Sequence, residues 1–575
     1  MDSRSMQIGN RFTSILLSIV ILSLLLSCSP EEEKADLILV NGNIITVDDQ
    51  LPEAQAIAVK EDKILAVGNN EEIKKFAGDN TQTINLAGKL VIPGFIESHA
   101  HFIGLGKSLI NLDLKSANNW DEIIAMVSLA AQNTSPGEWI VGRGWHQEKL
   151  DPPPFLNVEG YPLHNVLSQV SPFNPVMLSH ASGHAVFANK RAMNLAGIDT
   201  STKDPAGGRI VRDSLKNAIG VFEEEAEMLI YNEYKKHIDK KSEAELKNDK
   251  LAAIKLAVQE CLENGITTVH DAGAYFNEVN LFKELADNNE LGVRLYVMLG
   301  ENYSSLVSNG KNYLLNGYGG NFLTVRAIKK YVDGALGSRG AWMLQPYNDL
   351  PGHSGLNVTT LEELENTANY AKENGFQLCI HAIGDRGNRE ALNIYERVLG
   401  ESSAEYRWRI EHAQHLASVD VTRFSKLGII AAMQGVHCTS DAVFVVKRLG
   451  EERAKRGAYV WRKLIESGAL ICNGTDAPVE SVNTIKNYYS TVTRELNDGT
   501  AFYPEQKMTR MEALKSYTIN GAYAAFEENI KGSITPGKLA DFVVLSQNIL
   551  TVPDEEILNT KIEKTIIGGK VVYTK

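Results

Sequence analysis

Leu90-Val-Ile-Pro-Gly-Phe-Ile-Glu-Ser-His99-Ala-His101 is an apolar stretch closed by two histidines two residues apart. Side chains on a strand alternate faces, so both imidazoles project the same way. Such a pair suits a borderline cation such as zinc, and the aliphatic lead-in predicts a strand buried inside a fold. A His-x-His pair is a weak signal alone, so its meaning depends on what the rest of the chain sets beside it.

Seven further apolar runs follow, separated by helical stretches: Ile266 to Asp271, Val293 to Leu299, Ala327 to Asp333, Gln377 to His381, Arg407 to His412, Ile429 to Gln434 and Leu470 to Asp476. With the first run they make eight strands, which predicts an α/β fold of the (β/α)8 TIM-barrel type, with its chemistry at the carboxyl ends of the strands. Those ends are informative. The fifth strand finishes on Cys379-Ile-His381, the sixth on Ile410-Glu-His412 and the eighth on Asn473-Gly-Thr-Asp476, while the fourth carries Lys329 with Asp333 on the same face. Polar groups on five strands of an otherwise aliphatic barrel would be costly to bury without a ligand to satisfy them.

The two ends of the chain read as one unit. Residues 35–89 hold short runs punctuated by turn residues, among them Leu37-Ile-Leu-Val and Ala56-Ile-Ala-Val, with Asn41-Gly42 as a turn; residues 531–575 repeat the style with Ala540-Asp-Phe-Val-Val-Leu and Lys564 to Tyr573. An antiparallel sheet at the start, completed from the end into a small β-sandwich, is expected. Between them residues 90–530 form the barrel, and residues from about 105 to 250 are too long for a loop and predict an insertion over the mouth.

The start of the chain is an address. Arg4 and Arg11 precede the apolar run Ile15 to Leu26 and then Ser27-Cys28, the order of a secretory signal. Leu25-Leu26-Ser27-Cys28 resembles a bacterial lipobox, which makes Cys28 the lipidated residue and residues 29–34 an acidic tether. The expected product is an exported bacterial lipoprotein of the cell envelope, on the outer-membrane or periplasmic side, touching the membrane through its lipid anchor only. The net charge of −13 gives no reason to bind nucleic acid. Cys261, Cys379, Cys438 and Cys472 are dispersed beside apolar runs, so packed thiols are expected.

Longer stretches show a resemblance. Gly142-Arg-Gly-Trp145, Lys329 to Arg339, His381-Ala-Ile-Gly-Asp385, Arg409-Ile-Glu-His412-Ala-Gln, Thr475-Asp-Ala-Pro478 and Lys531 to Asp541 resemble the amidohydrolase superfamily, in particular its family 3 branch of N-substituted formamide deformylase-like enzymes. The resemblance implies that His99, His101 and Asp476 hold the more buried metal, that His381 and His412 hold a second, and that a carboxylated Lys329 bridges them. Lys330 is the alternative lysine, but alternation turns it to the other face from Asp333. One divalent ion or two stays open; zinc is expected. Glu97, Gly340 and Gly435 depart from the family's usual wording.

On that reading Asp476 is the general base and acid for attack of a metal-activated water. Substrate contacts are expected from His184, which matches a pocket histidine of the family, and from Arg209, which could pair with a substrate carboxylate. Gln434 and His437 follow the seventh strand and are further candidate substrate contacts. Trp145 reads as core or contact, and His270 as support or contact. Glu97 and Glu411 should orient the ligands, Asp385 should cap a helix, and His415 should be solvated. The implied activity is hydrolysis of a small-molecule substrate at a non-peptide carbon-nitrogen bond, of a linear amide or an N-formyl or N-acyl amine. A cyclic amide hydrolase or deaminase is the runner-up, and a catalytically silent lipid-anchored binding protein is the alternative of another class. Homo-oligomerisation is left open.

Overall fold

The computed structural model describes residues 33–181, 183, 185–205, 207–400 and 403–575. The export signal with Cys28, and His184, lie outside the described residues. Eight strands form a parallel sheet in consecutive order: β1 Phe95–Ala100, β2 Ile266–Ala274, β3 Arg294–Leu299, β4 Leu323–Tyr331, β5 Gln377–Ala382, β6 Arg409–His412, β7 Ile430–Gln434 and β8 Ile471–Gly474. Helices between them cover the outside, as parallel strands joined by crossovers require. This is a nearly closed α/β barrel of the TIM type.

Closure uses few bonds. The ladder runs from β8 back to β1 without pairing those two strands. Just past them, Asp476 N donates to the His99 carbonyl at 2.8 Å and His101 N to the Ala477 carbonyl at 2.7 Å. The buried Glu97 carboxylate reinforces the seam, accepting from Thr475 N at 2.7 Å, the Thr475 hydroxyl at 3.0 Å and His99 N at 3.2 Å. Burial pushes this carboxyl up to about 8.

The stretch around Gly94 is not one strand. Leu90–Pro93 lies in another sheet, antiparallel to Phe542–Leu545 and parallel to Asn43–Ile45. Gly94 N then bonds to the Asp541 carbonyl at 2.9 Å before the chain enters β1. A Cβ at Gly94 would fall on the Thr267 side chain, so only glycine lets the chain turn there.

The chain ends build two sheets. One runs Lys63–Gly68, Ala56–Lys60, Leu37–Val40, Gln82–Asn85; the other runs Lys570–Thr574, Ile562–Ile567, Phe542–Leu545, Leu90–Pro93, Asn43–Ile45, Glu53–Ala54. Both are mixed rather than antiparallel, since Leu37–Val40 pairs parallel with Gln82–Asn85 in the first and Asn43–Ile45 with Leu90–Pro93 in the second. Asn41-Gly42 therefore joins two sheets instead of closing a hairpin. Leu39, Val59, Val91, Phe542, Val544 and Ile566 from the two sheets share one apolar cluster. The buried Arg294 of β3 fastens this unit to the barrel, pairing through Nε and one terminal nitrogen with the two oxygens of Asp541 at 2.7 and 3.0 Å.

Helix Phe102–Ile110 leaves β1 and lies on helix Glu243–Glu263, Gly106 meeting the Ala253 backbone so closely that no Cβ fits. Between them stands a lobe with its own six-stranded sheet, in the order Gly208–Arg212, Ala218–Glu224, Ala185–Ala188, Val176–His180, Ile140–Trp145, Leu112–Asp113. Each face of this sheet carries an apolar cluster, one around Trp120, Trp145 and Phe187, the other around Met177, Met193 and Phe222. The four cysteines of the body are free and buried. Among the described residues no helix is long and apolar enough to cross a membrane.

Candidate metal centre

Strand alternation brings the polar ends together at the carboxyl rim of the barrel. One ligand atom each from His99, His412 and Asp476 lies within 4.8 Å of the others, and all three residues are buried. Asp476 Oδ1 is 3.5 Å from His99 Nε2 and 3.3 Å from His101 Nε2. The His412 ring stands between its neighbours, with centroids 4.7 Å from His99 and 4.5 Å from His381. His412 thus joins the His99 and Asp476 side as closely as the His381 side. Lys329 is buried with its ammonium over the Tyr331 ring, while the Lys330 amine leaves the barrel to meet Glu363 at 3.2 Å.

The imidazoles are held as neutral donors of a lone pair. Burial, and then the Lys329 charge, push His99 down to about 4 and His381 to about 3; burial and the His381 ring hold His412 well below the usual range. Burial would raise the Asp476 carboxyl, but the close approach of His101, with His99 and His412 beyond it, holds it well below the carboxylate range. His99 Nε2, His381 Nε2, Asp476 Oδ1 and Lys329 Nζ are buried with no hydrogen-bond partner among the described residues. Four unpaired polar atoms in one barrel end are expensive unless something binds them. Neutral imidazole nitrogens with a carboxylate oxygen are the donor set of a borderline divalent cation, so these residues fit a metal.

A second layer fixes the rings. His99 Nδ1 donates to Glu411 Oε2, which turns its Nε2 lone pair to the centre. Glu411 is gripped by Arg409, Nε to Oε1 at 2.7 Å and a terminal nitrogen to Oε2 at 3.0 Å. Burial would raise this carboxyl, but the Arg409 guanidinium, with His99, holds it at about 2. Arg409 also donates to the Ser98 carbonyl at 2.6 Å and to His270 Nδ1 at 3.0 Å. On the other side His412 Nδ1 meets Gln434 Oε1 at 2.9 Å. His412 and Asp476 both sit at positive φ, 73° and 59°, a strain of roughly 1–3 kcal/mol each that the surrounding packing must hold.

A profile of the amidohydrolase family matches residues 82–573. The chain belongs to the amidohydrolase family. It is 34% identical to the protein LONG AFTER FAR-RED 3 of Arabidopsis thaliana, over 94% of this chain and 92% of that one. It is 27% identical to an N-substituted formamide deformylase of Arthrobacter pascens, over 94% and 98% of the two chains. Among solved structures it resembles an uncharacterized metal-dependent hydrolase of Pyrococcus horikoshii OT3, with a TM-score of 0.73 and 25% identity over 90% of this chain and 99% of that one. Members of this family typically bind a divalent metal, and the His99, His412 and Asp476 cluster of this amidohydrolase could hold one.

The other expected site residues lie at varying distances from this centre. His270 is fully buried below the centre, against Arg409 and the Tyr296 ring. Gln434 is buried and spends its carbonyl on His412, while His437 stands closer to the chemistry, its Nε2 3.9 Å from Asp476 Oδ2 and its Nδ1 3.2 Å from Gln414 Nε2. Trp145 is 1% exposed in the core of the inserted lobe, its indole donating to the Leu178 carbonyl at 2.8 Å. Arg209 is held by Glu159 at 2.8 Å and Glu223 at 2.6 Å. His415 is buried rather than solvated, its ring against Tyr459, because the chain after β6 turns inward to bond Ile383. Gly384, not Asp385, occupies the cap position of helix Asp385–Leu399; the Asp385 carboxylate accepts from Leu344 N at 2.8 Å. Asp333 accepts from the amides of Trp342, Ile383 and Gly384 at 2.8 to 3.0 Å and so shapes the turn after β5. Arg409 went unassigned in the sequence, although its two-residue spacing from Glu411 on one strand already set both on one face.

Proposed function

We propose that this amidohydrolase hydrolyses a non-peptide carbon-nitrogen bond, of a linear amide or an N-formyl or N-acyl amine. The observation that carries the reading is the set of buried, unpartnered atoms, His99 Nε2, His381 Nε2 and Asp476 Oδ1, aimed into one barrel end beside Lys329. His99, His101 and Asp476 would hold one divalent ion, zinc being the natural choice for this donor set, and His381 with His412 a second. Lys329, carboxylated on its amine, would bridge them. The charge argues for that modification, because an ammonium buried among metal ligands repels cations while a carbamate attracts them. Such an ion supplies Lewis-acid polarisation of a carbonyl and a lowered pKa for water.

The protein's own part is proton handling and orientation. Asp476, ionised at rest, takes the proton of the attacking water and returns it to the leaving nitrogen. Glu411 and Gln434 keep the His99 and His412 rings turned toward the reaction. The similarity to a formamide deformylase supports the choice of linear substrates. The test is metal analysis with a panel of N-formyl and N-acyl amines, on the parent and on Asp476→Asn. Bound metal in both proteins with turnover only in the parent is expected; an Asn variant that hydrolyses normally overturns the role of Asp476. We also propose export as a lipoprotein, for which radiolabelled fatty acid should enter the chain and be lost in Cys28→Ser.

A further inference from the structure

The inserted lobe brings two cations to the Asp476 side of the mouth. Arg143, on strand Ile140–Trp145, sits opposite Asp113 of Leu112–Asp113, and Lys115 follows two residues later. Glycine at 144, with φ at 109°, lets the Lys115 stem lie against that strand, since a Cβ there would meet Lys115 Cγ. The Lys115 ammonium donates to the Pro478 carbonyl, two residues beyond Asp476. Arg143 is close enough for the Asp476 carboxylate to act on it, although burial outweighs that pull.

What sets Arg143 apart is what it lacks. Its Nε is buried without a partner, and among the described residues its one hydrogen bond is a long 3.4 Å contact from a terminal nitrogen to the Ala181 carbonyl. No carboxylate of the described residues lies at ion-pair distance from Arg143 or Lys115, although Glu480 and Asp113 act on Lys115 from farther away, whereas Arg209, Arg294 and Arg409 all have close carboxylate partners. A guanidinium is a planar fork suited to two oxygens, and leaving one half-buried and unpaired is unfavourable unless an anion arrives.

We propose that Arg143, assisted by Lys115, is the subsite for a substrate carboxylate, so that the preferred substrates are N-formyl or N-acyl amino acids rather than neutral amides. Asp476 serves the leaving nitrogen under the function proposed above, on which this inference rests, and Arg143 lies on that side. The carboxylate therefore belongs to the amine half of the substrate. Arg209, tied to Glu159 and Glu223, is not needed for this.

The test compares N-formylphenylalanine, as both enantiomers, with N-formylphenethylamine, which lacks only the carboxylate. With metal-loaded parent protein, kcat/KM should favour one N-formylphenylalanine enantiomer by tenfold or more. Arg143→Met should remove most of that preference through KM while changing kcat/KM for the neutral compound less than threefold, and Arg143→Lys should keep part of it. Binding of the same compounds by isothermal titration calorimetry gives a readout that needs no turnover and should show the same ratio. Equal losses on both compounds in Arg143→Met, or a parent with no carboxylate preference in turnover or binding, overturns the inference. Turnover of neutral amides alone would sink this subsite and leave the hydrolase reading intact; carboxylate-selective binding without turnover of any amide would do the reverse.

Discussion

Glu411→Gln tests the layer beneath the metal centre. The substitution keeps the shape and removes the charge, so Arg409, wholly buried, loses the anion that holds it through one hydrogen bond and one close charge contact. Two routes give the size of the loss. Removing one partner of a buried ion pair costs about 3–5 kcal/mol. Separately, the carboxyl lies at about 2 instead of an ordinary 4.5, and at about 1.4 kcal/mol per pH unit this amounts to roughly 3 kcal/mol. The sign follows from the depressed value: the stabilisation is complete above the unfolded pKa and drains away as pH falls toward the folded one. Urea unfolding of parent and variant should therefore differ by about 3 kcal/mol at pH 7, with roughly half of that gap gone by pH 3. Because His99 Nδ1 loses its carboxylate acceptor, metal affinity should also fall by about tenfold or more. A gap below about 1 kcal/mol at neutral pH, or one that does not shrink on acidification, would refute the account of this pair.

Lys329→Met should lower bound metal by about tenfold or more in affinity, while Lys330→Met, which loses only its pair with Glu363, should keep the metal and shift stability by less than about 1 kcal/mol; elemental analysis of both proteins separates them. Asp541→Asn leaves Arg294 buried without its anion and should cost about 3–5 kcal/mol in urea unfolding, with little change in turnover by folded protein, since the pair sits at the foot of β3. Gly106→Ala drives a methyl into the Ala253 backbone and should lower stability by about 1–3 kcal/mol by prising helix Phe102–Ile110 from its neighbour.

The barrel was legible because its strands are apolar runs of the right length, and alternation alone separated Lys329 from Lys330. Positions that depend on distant packing were not. The break at Gly94 is invisible in Leu90 to His101, since both halves are equally apolar and only Phe542–Leu545, far away in the chain, captures the first half. Asn41-Gly42 has the composition of a hairpin turn, yet Gln82–Asn85 takes the place beside Leu37–Val40. Gln434 was read as a contact because it ends a strand, and His270 was left between support and contact; which ring nitrogen or guanidinium meets each is set by other strands. Arg143 carried a motif without an assigned task, since the lack of a partner is a property of three dimensions.

The seam between β1 and β8 has a mechanical consequence. Every other neighbouring pair of staves is laced by a ladder, while this one is clasped by Glu97 and a few amides, and the side chains just above the clasp, His99, His101 and Asp476, are the ones a cation would tie together. Loading the centre would then act as a rivet on the weakest joint of the cylinder. Amide exchange at Thr475 and Asp476 should slow on metal addition far more than exchange on the opposite wall at β4.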